Sequence, residues 1–196
     1  MNTTPREPRK SLTPALLSLA VLACLLTLSG CGGGGDSSQL AADMQSPDEN
    51  VRYEAVRKFE ESPKLATEHI GLLAGGLSDS SERIQYRCAK VLDKMGEKAA
   101  PAVRNLGQAL LSGNEKVAYY AAKSLDNIGD DAESATDNLL VAAASDSERV
   151  RYYAVKALGN IEVDSPATVK VLEARTSDDA ERVRKVAEAA LKKIRS

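Results

Sequence analysis

The fold is decided by a stretch near the end of the sequence, which reads Arg149-Val150-Arg151-Tyr152-Tyr153-Ala154-Val155-Lys156-Ala157-Leu158-Gly159-Asn160-Ile161. From Val150 to Ile161 every third or fourth residue is apolar, which is the spacing of one face of an α-helix. The same positions recur at intervals of 33 residues, apart from Ser62 in the first copy. The leading apolar residues of the five copies are Val51, Ile84, Val117, Val150 and Val183. The stretch is therefore one copy of a helical repeat.

A second apolar set follows in each repeat, at 19, 22 and 26 residues after the leading apolar residue. In the second repeat these residues are Val103, Leu106 and Leu110. Leu40 and Met44 fall in the same register ahead of the first full repeat. A pair of helices this small cannot bury its own apolar face, so neighbouring pairs must stack. The sequence therefore predicts an all-α fold, an α-solenoid of stacked helical hairpins with a 33-residue period.

Five Ser/Asp-x-x-Glu motifs mark the start of each copy, at Ser46, Asp79, Ser112, Ser145 and Asp178. They are typical of capping boxes, in which the first side chain accepts from an amide three residues on and the Glu returns a bond. Gly96 and Gly129 are placed to end helices in a left-handed conformation, and Ser165-Pro166 to begin one. The predicted boundaries are a half repeat at 39–45, full repeats at 46–78, 79–111, 112–144 and 145–177, and a terminal helix at 178–196.

The composition excludes several function classes. The chain has 196 residues and a net charge of −2, without the basic footprint of a nucleic-acid binder. One His and three Cys leave little material for a metal cage, and we predict no catalytic residue, metal or cofactor. His69 is expected at the surface or the rim of the core, and Cys88 is expected to be a small buried hydrophobe.

The N-terminus carries the pattern of an export signal. A cationic segment precedes an apolar run from Leu12 to Leu28, which is short for a membrane-spanning helix and typical of a secretory signal. The run closes with Leu28-Ser29-Gly30-Cys31, which looks like a bacterial lipobox. The resemblance implies a signal peptide at 1–30, a lipid on Cys31 and a Gly/Ser linker at 31–38 that tethers the protein to a membrane of the cell envelope. Gly32 after the cysteine resembles sorting to the outer membrane in enterobacteria. An uncleaved signal anchor is the alternative.

The first helices also carry a family resemblance. Their Val-Arg-x-x-Ala pattern and the Ala157-Leu158-Gly159-x-Ile161 ending resemble the bacterial HEAT-like repeat of the phycocyanobilin-lyase type, over about residues 39–196. Gln85 and Ala118 depart from it, because they replace the Arg that follows the leading apolar residue.

Two surfaces are candidate binding sites. One is the outward face of the second helices, expected to be concave, with Arg104, Asn105, Gln108, Asp137, Asn138 and Lys170; we call it the second-helix face. The other is a row of aromatic rings two residues after the leading apolar residue, formed by Tyr53, Tyr86, Tyr119 and Tyr152; we call it the tyrosine strip. Tyrosines at this position pack between adjacent first helices or bind a peptide, a glycan or a partner protein.

These patterns favour a lipid-anchored, non-enzymatic scaffold that binds a protein or peptide. The family resemblance leaves open a lyase-like or chaperone-like role for a tetrapyrrole, which requires an accessible Cys88 or a sizeable apolar cleft. A structural link between envelope layers is a third hypothesis, and it predicts binding to cell wall.

Overall fold

The computed structural model describes residues 35–195, and this part consists of helices and turns without any strand. The signal peptide predicted at 1–30 and the lipid site predicted at Cys31 lie outside the described residues. The helices are α1 (Gly35–Asp43), α2 (Glu49–Glu61), α3 (Pro63–Glu68), α4 (Ile70–Gly76), α5 (Glu82–Met95), α6 (Val103–Ala109), α7 (Glu115–Ile128), α8 (Thr136–Ala142), α9 (Glu148–Ile161), α10 (Pro166–Arg175) and α11 (Glu181–Ile194). The predicted all-α solenoid of helical hairpins is confirmed.

The first helices of the repeats (α2, α5, α7, α9 and α11) pack side by side and carry most of the core. The leading apolar residues Ile84, Val117, Val150 and Val183 are at most 1% exposed. Val51 is the exception at 37% exposed, because α2 is the first of the row and has no first helix before it. Each repeat thus hides its apolar face against its neighbours, as the period predicts.

The second helices (α4, α6, α8 and α10) return along the other layer and bury one leucine each in full: Leu73, Leu106, Leu139 and Leu172. Gly96 and Gly129 end α5 and α7 with φ of 57° and 71°. Their ψ values near −135° lie outside the left-handed helical region that the sequence suggested. From each glycine a 3₁₀ helix leads to the second helix, over Gly96–Ala102 and Gly129–Ala135. Ser165 caps α10 as predicted, since its side chain accepts from the amide of Thr168.

The predicted capping boxes are wrong in register. The N-cap positions of the first helices lie two residues later, at Asp48, Ser81, Asn114, Ser147 and Ala180, and of these Asp48 and Asn114 accept a hydrogen bond from the first turn of the helix. The first residue of each motif instead accepts from the amide of the cap residue, as in Ser145 Oγ to Ser147 N at 3.2 Å. This bond forms a turn before the helix rather than a cap within it.

Four of the five motif glutamates contact the next repeat, and Glu181 in the terminal helix pairs with Lys185 instead. Glu115 accepts from the hydroxyl of Ser147 at 2.8 Å, 32 residues along the chain. Glu49 accepts from Ser81 and Glu82 from Asn114 in the same way, at 2.6 and 2.8 Å. The regular spacing of the motifs therefore reflects contacts between repeats.

The helix before the first repeat is longer than the predicted half repeat. It begins at Gly35, inside the segment 31–38 that the sequence suggested as linker. Leu40 and Met44 are buried against the first repeat, 3% and 8% exposed. Ser37 adds a hydrogen bond of 2.6 Å between its Oγ and His69 Nε2. This docking gives the short helix a tertiary partner, which helices of this length need.

Candidate functional site

The Arg of the repeat motif joins successive repeats at two of the four junctions, at the turn that precedes the next first helix. Arg52 donates from Nε and Nη2 to both carboxylate oxygens of Asp79, at 2.7 and 2.9 Å. Arg151 makes the same two-pronged contact with Asp178, at 2.8 and 2.9 Å. Both pairs are largely buried, and the Asp178 side chain is 2% exposed. Each contact holds the pKa of its aspartate below the usual range, because the guanidinium hydrogen-bonds the charged form. These arginines hold the scaffold together.

A second set of polar contacts joins the far ends of the first helices. Asp93 accepts from Lys123 Nζ and Asn127 Nδ2, at 2.8 and 2.9 Å. Asp126 repeats the pattern with Lys156 and Asn160, at 2.8 and 2.7 Å. Both aspartates are buried, and each of their hydrogen bonds crosses to the next repeat. Their charges are therefore taken up by packing between repeats.

The equivalent contact between the first and second repeats, at Glu60, involves more charged residues than those at Asp93 and Asp126. Glu60 accepts from Arg87, Lys90 and Lys94, at 2.6, 2.8 and 2.9 Å. The hydrogen bonds from Lys90 and then Lys94 lower the pKa of Glu60 to about 2. Glu60 is thus ionised throughout the neutral range.

The tyrosine strip is built into the same layer of first helices. Tyr120 and Tyr153, one residue further along, insert between its rings and give a continuous edge-to-face row through Tyr86, Tyr120, Tyr119, Tyr153 and Tyr152, with centroids 4.8–5.5 Å apart. Tyr53 stands apart under the guanidinium groups of Arg83 and Arg87. All six rings are partly buried against the core. This geometry favours packing between first helices, and binding by the tyrosine strip stays a prediction.

The second-helix face has a different character. Arg104, Asp137 and Lys170 occupy equivalent positions on α6, α8 and α10, and all three are exposed. Within the described part of the chain, none of the three makes a hydrogen bond or an ion pair. Val141, next to this row on α8, is 59% exposed. The face therefore presents unpaired charge of both signs beside apolar surface.

One contact fixes the spacing of two of these helices. A side chain at Gly107 of α6 would place its Cβ 3.0 Å from Asn138 Oδ1 and 3.4 Å from Ala135 Cβ. The absence of a side chain lets α8 approach α6 closely, with half-buried Asn138 at the contact. Asn105 is half-buried and Gln108 is exposed on the same face. Asn138 of the predicted face thus also has a packing role.

The remaining candidates for chemistry are enclosed or isolated. Cys88 is fully buried, and burial raises the pKa of its thiol, so it is no accessible nucleophile. His69 is half-buried at the rim, with its ring 5.5 Å from that of Phe59. Across residues 35–195, no group of three His, Cys, Asp or Glu side chains is placed to hold a metal ion. A search of the same residues finds no helix with the length and apolarity to cross a membrane.

Comparison with known proteins agrees with this architecture. Residues 103–192 match the family model for HEAT repeats. No curated protein matches the sequence. A designed armadillo repeat protein in complex with the peptide (KR)4 is 23% identical, with a TM-score of 0.67 over 82% of each chain. Computationally designed armadillo repeat proteins for modular peptide recognition are 22% identical, with a TM-score of 0.68 over 80% of this chain and 81% of theirs.

The CpcE–CpcF complex of phycocyanin lyase from Nostoc sp. PCC7120 is also similar, at 19% identity and a TM-score of 0.60 over 95% of this chain and 70% of that chain. At such identities the likeness is one of fold. The protein is an α-solenoid with HEAT-like repeats. Its fold resembles both designed armadillo repeat proteins and the subunits of phycocyanin lyase.

Proposed function

We propose that this protein is a non-enzymatic binding module of the bacterial cell envelope, held at a membrane by a lipid on Cys31, and that its second-helix face binds a protein or peptide. The observation that carries the proposal is the difference in charge pairing between the layer of first helices and the layer of second helices. Charged residues of the first helices largely pair across repeats, as Arg151 does with Asp178. Arg104, Asp137 and Lys170 make no such contact with another described residue, so they remain available to a ligand.

The chemistry of the second-helix face favours a polypeptide. Its row of charges runs positive, negative, positive from Arg104 through Asp137 to Lys170, whereas a phosphate backbone requires a basic track. Exposed Val141 adds apolar area of the kind that the centre of a protein interface buries. Two of the similar solved structures are designed repeat proteins that bind or recognise peptides, which is in line with a peptide partner.

The test is capture of a partner from detergent-solubilised envelope by protein with and without the three charges. We expect R104A/D137A/K170A to lose at least tenfold in captured partner with an unchanged helical circular dichroism spectrum. The matched control is K58A/E188A/K192A, which removes the same charges from exposed positions of α2 and α11. Equal capture by the two variants would exclude the second-helix face.

The anchor requires its own test. We expect wild-type protein to incorporate radiolabelled palmitate and to sediment with membranes, and C31S to incorporate no label. If wild-type protein stays in the membrane fraction without label, the apolar run from Leu12 to Leu28 is an uncleaved anchor and the lipid proposal fails.

A chaperone-like role for a tetrapyrrole is the second candidate, and the likeness to the phycocyanin lyase complex favours it. Burial of Cys88 weighs against a route through its thiol. If the protein is instead the binding module proposed above, Cys88 of the native protein resists a thiol reagent until the protein is denatured. Biliverdin then keeps the absorbance spectrum of the free pigment when the protein is added. Rapid labelling or a shifted bilin spectrum would favour the second candidate.

A further inference from the structure

A cleft of about 640 Å³ opens at the turns between the third and fourth repeats. We call it the Ala118 cleft; its lining includes Gly113, Glu115, Ala118, Ser145, Asp146 and Glu148. It lies at the edge where second helices turn into first helices, outside the second-helix face. Its position corresponds to that of the Arg52–Asp79 and Arg151–Asp178 contacts, which therefore show what kind of chemical group can bind there.

In the other repeats an N–H donor fills this place. Arg52 extends Nη1 to the backbone carbonyls of Ser46 and Pro47, at 2.9 and 3.2 Å, while its other nitrogens bind Asp79. Arg151 and Arg184 make the same pair of carbonyl contacts, at 2.7–3.0 Å. In the second repeat the amide of Gln85 donates to the carbonyl of Asp79 at 2.6 Å. This position therefore binds an N–H donor in each of the four other copies of the repeat, and in three of the four the donor is a guanidinium group.

The third repeat has a methyl group there. Ala118 stands where the arginines stand, and Ser145 stands where Asp79 and Asp178 receive them. The carbonyls that correspond to the acceptors of Arg52 are those of Ser112 and Gly113. We propose that the Ala118 cleft binds the guanidinium group of an arginine side chain supplied by a partner protein.

The charge of the lining supports a cation within a polypeptide. Three acidic residues, Glu115, Asp146 and Glu148, line the cleft. Glu115 accepts from Ser147 and Glu148 pairs with Arg182, whereas Asp146 makes no side-chain hydrogen bond or ion pair within residues 35–195. The one cation in the lining is Arg149, whose guanidinium lies 3.9 Å from the centre of the Tyr119 ring. In the other repeats the guanidinium at this position belongs to an arginine within a polypeptide, whose backbone carries no charge. Free arginine adds an ammonium and a carboxylate group, for which those positions show no partner. The inference goes beyond the proposed function, because it does not require the second-helix face to bind anything.

The test uses N-acetyl-L-arginine methylamide as the probe and follows amide shifts of Gly113, Ala118 and Ser145 in NMR spectra of the purified full-length protein. We expect saturable shifts with an affinity at least fivefold higher than for the lysine analogue, because only a guanidinium reaches several acceptors at once. Equal affinities would mean general attraction of cations and would overturn the proposal. So would tighter binding of free arginine, or no shifts at all.

Variants that fill the cleft from within provide the second arm. We expect A118R/S145D to rebuild the pair seen at Arg151 and Asp178, to abolish the shifts, and to have a higher melting temperature than either single variant. A189R places an arginine at an exposed position of α11, outside the cleft, and is expected to leave binding unchanged. If the double variant is no more stable than the singles, the place does not accept a guanidinium. The comparison of arginine and lysine probes on wild-type protein needs no variant to fold.

Discussion

Single residues connect the repeats, and Asp178 does so with almost no exposed surface. It receives two hydrogen bonds from Arg151, one from Arg175 and one from the amide of Ala180. Removal of one partner from a buried pair leaves a charge without compensation. We expect D178N to lower the free energy of unfolding by about 3 kcal/mol, measured by urea denaturation. E61Q disrupts the exposed Arg57–Glu61 pair and is the control, with no measurable loss expected. Equal losses would contradict a special role for the buried pair.

The acidic limit of stability is set in part by Glu60. Its pKa is lowered to about 2 from an ordinary value of 4.5, so its contribution is complete above pH 4.5 and is lost as the pH falls toward 2. We expect wild type to be more stable than E60Q at neutral pH and this difference to shrink steadily between pH 4.5 and 2. Urea denaturation at several pH values measures it. A difference that is independent of pH would show that the Glu60 charge contributes nothing.

At the level of elements, periodicity was sufficient to predict the first helices. Positions that recur every 33 residues were buried together, and the second helices followed from a second apolar set. The 3₁₀ segment Gly96–Ala102 could not be predicted, because its alanines favour α-helix and only the turn at Gly96 sets its path. The capping boxes failed for a related reason: the motif is local in sequence, but Glu115 satisfies a partner 32 residues away.

The candidate surfaces were partly predictable for the same physical reason. Which face of a second helix points away from the core follows from its period, and Arg104, Asp137 and Lys170 are exposed as expected. The polar pairs between repeats depend on the distances between side chains of neighbouring repeats, and the sequence period does not give these distances. A signal for it was present, since Arg faces Asp in two junctions whereas Gln85 and Ala118 face Ser112 and Ser145.

The junction of α9 and α11 depends on a glycine. A Cβ at Gly159 would lie 2.6 Å from Ala190 Cβ and 3.0 Å from its Cα, so the backbone of α11 would have to move. We expect G159A to lower the free energy of unfolding by about 2 kcal/mol, despite the better helix propensity of alanine. G75A on α4 meets nothing within 4 Å and is expected to gain about 0.5 kcal/mol. A stabilised G159A would show that α11 can move at no cost.

For the whole molecule, the main contacts between elements of residues 35–195 join neighbouring repeats, so stability is approximately a sum over junctions. Deletion of residues 112–144 would bring the second repeat against the fourth. Asp93 would then meet Lys156 and Asn160, the same residue types that it meets now in Lys123 and Asn127. Gln85 would face Ser145 instead of Ser112. Every polar contact of the junction would be restored by residues of the same type or chemistry.

Deletion of residues 79–111 gives a chain of the same length with a mismatched junction. Arg52 would face Ser112 in place of Asp79, and Glu60 would meet Tyr120, Lys123 and Asn127 in place of three cations. We therefore expect the chain without 112–144 to unfold at a higher urea concentration than the chain without 79–111, with similar helical content per residue. The two chains have equal length, so they expose similar surface area when they unfold. A difference in their urea midpoints therefore cannot come from surface area, with which the dependence on denaturant scales. If the order of the two midpoints is reversed, apolar packing rather than polar pairing distinguishes the junctions, and the sequence differences at Gln85 and Ala118 have no bearing on how the repeats stack.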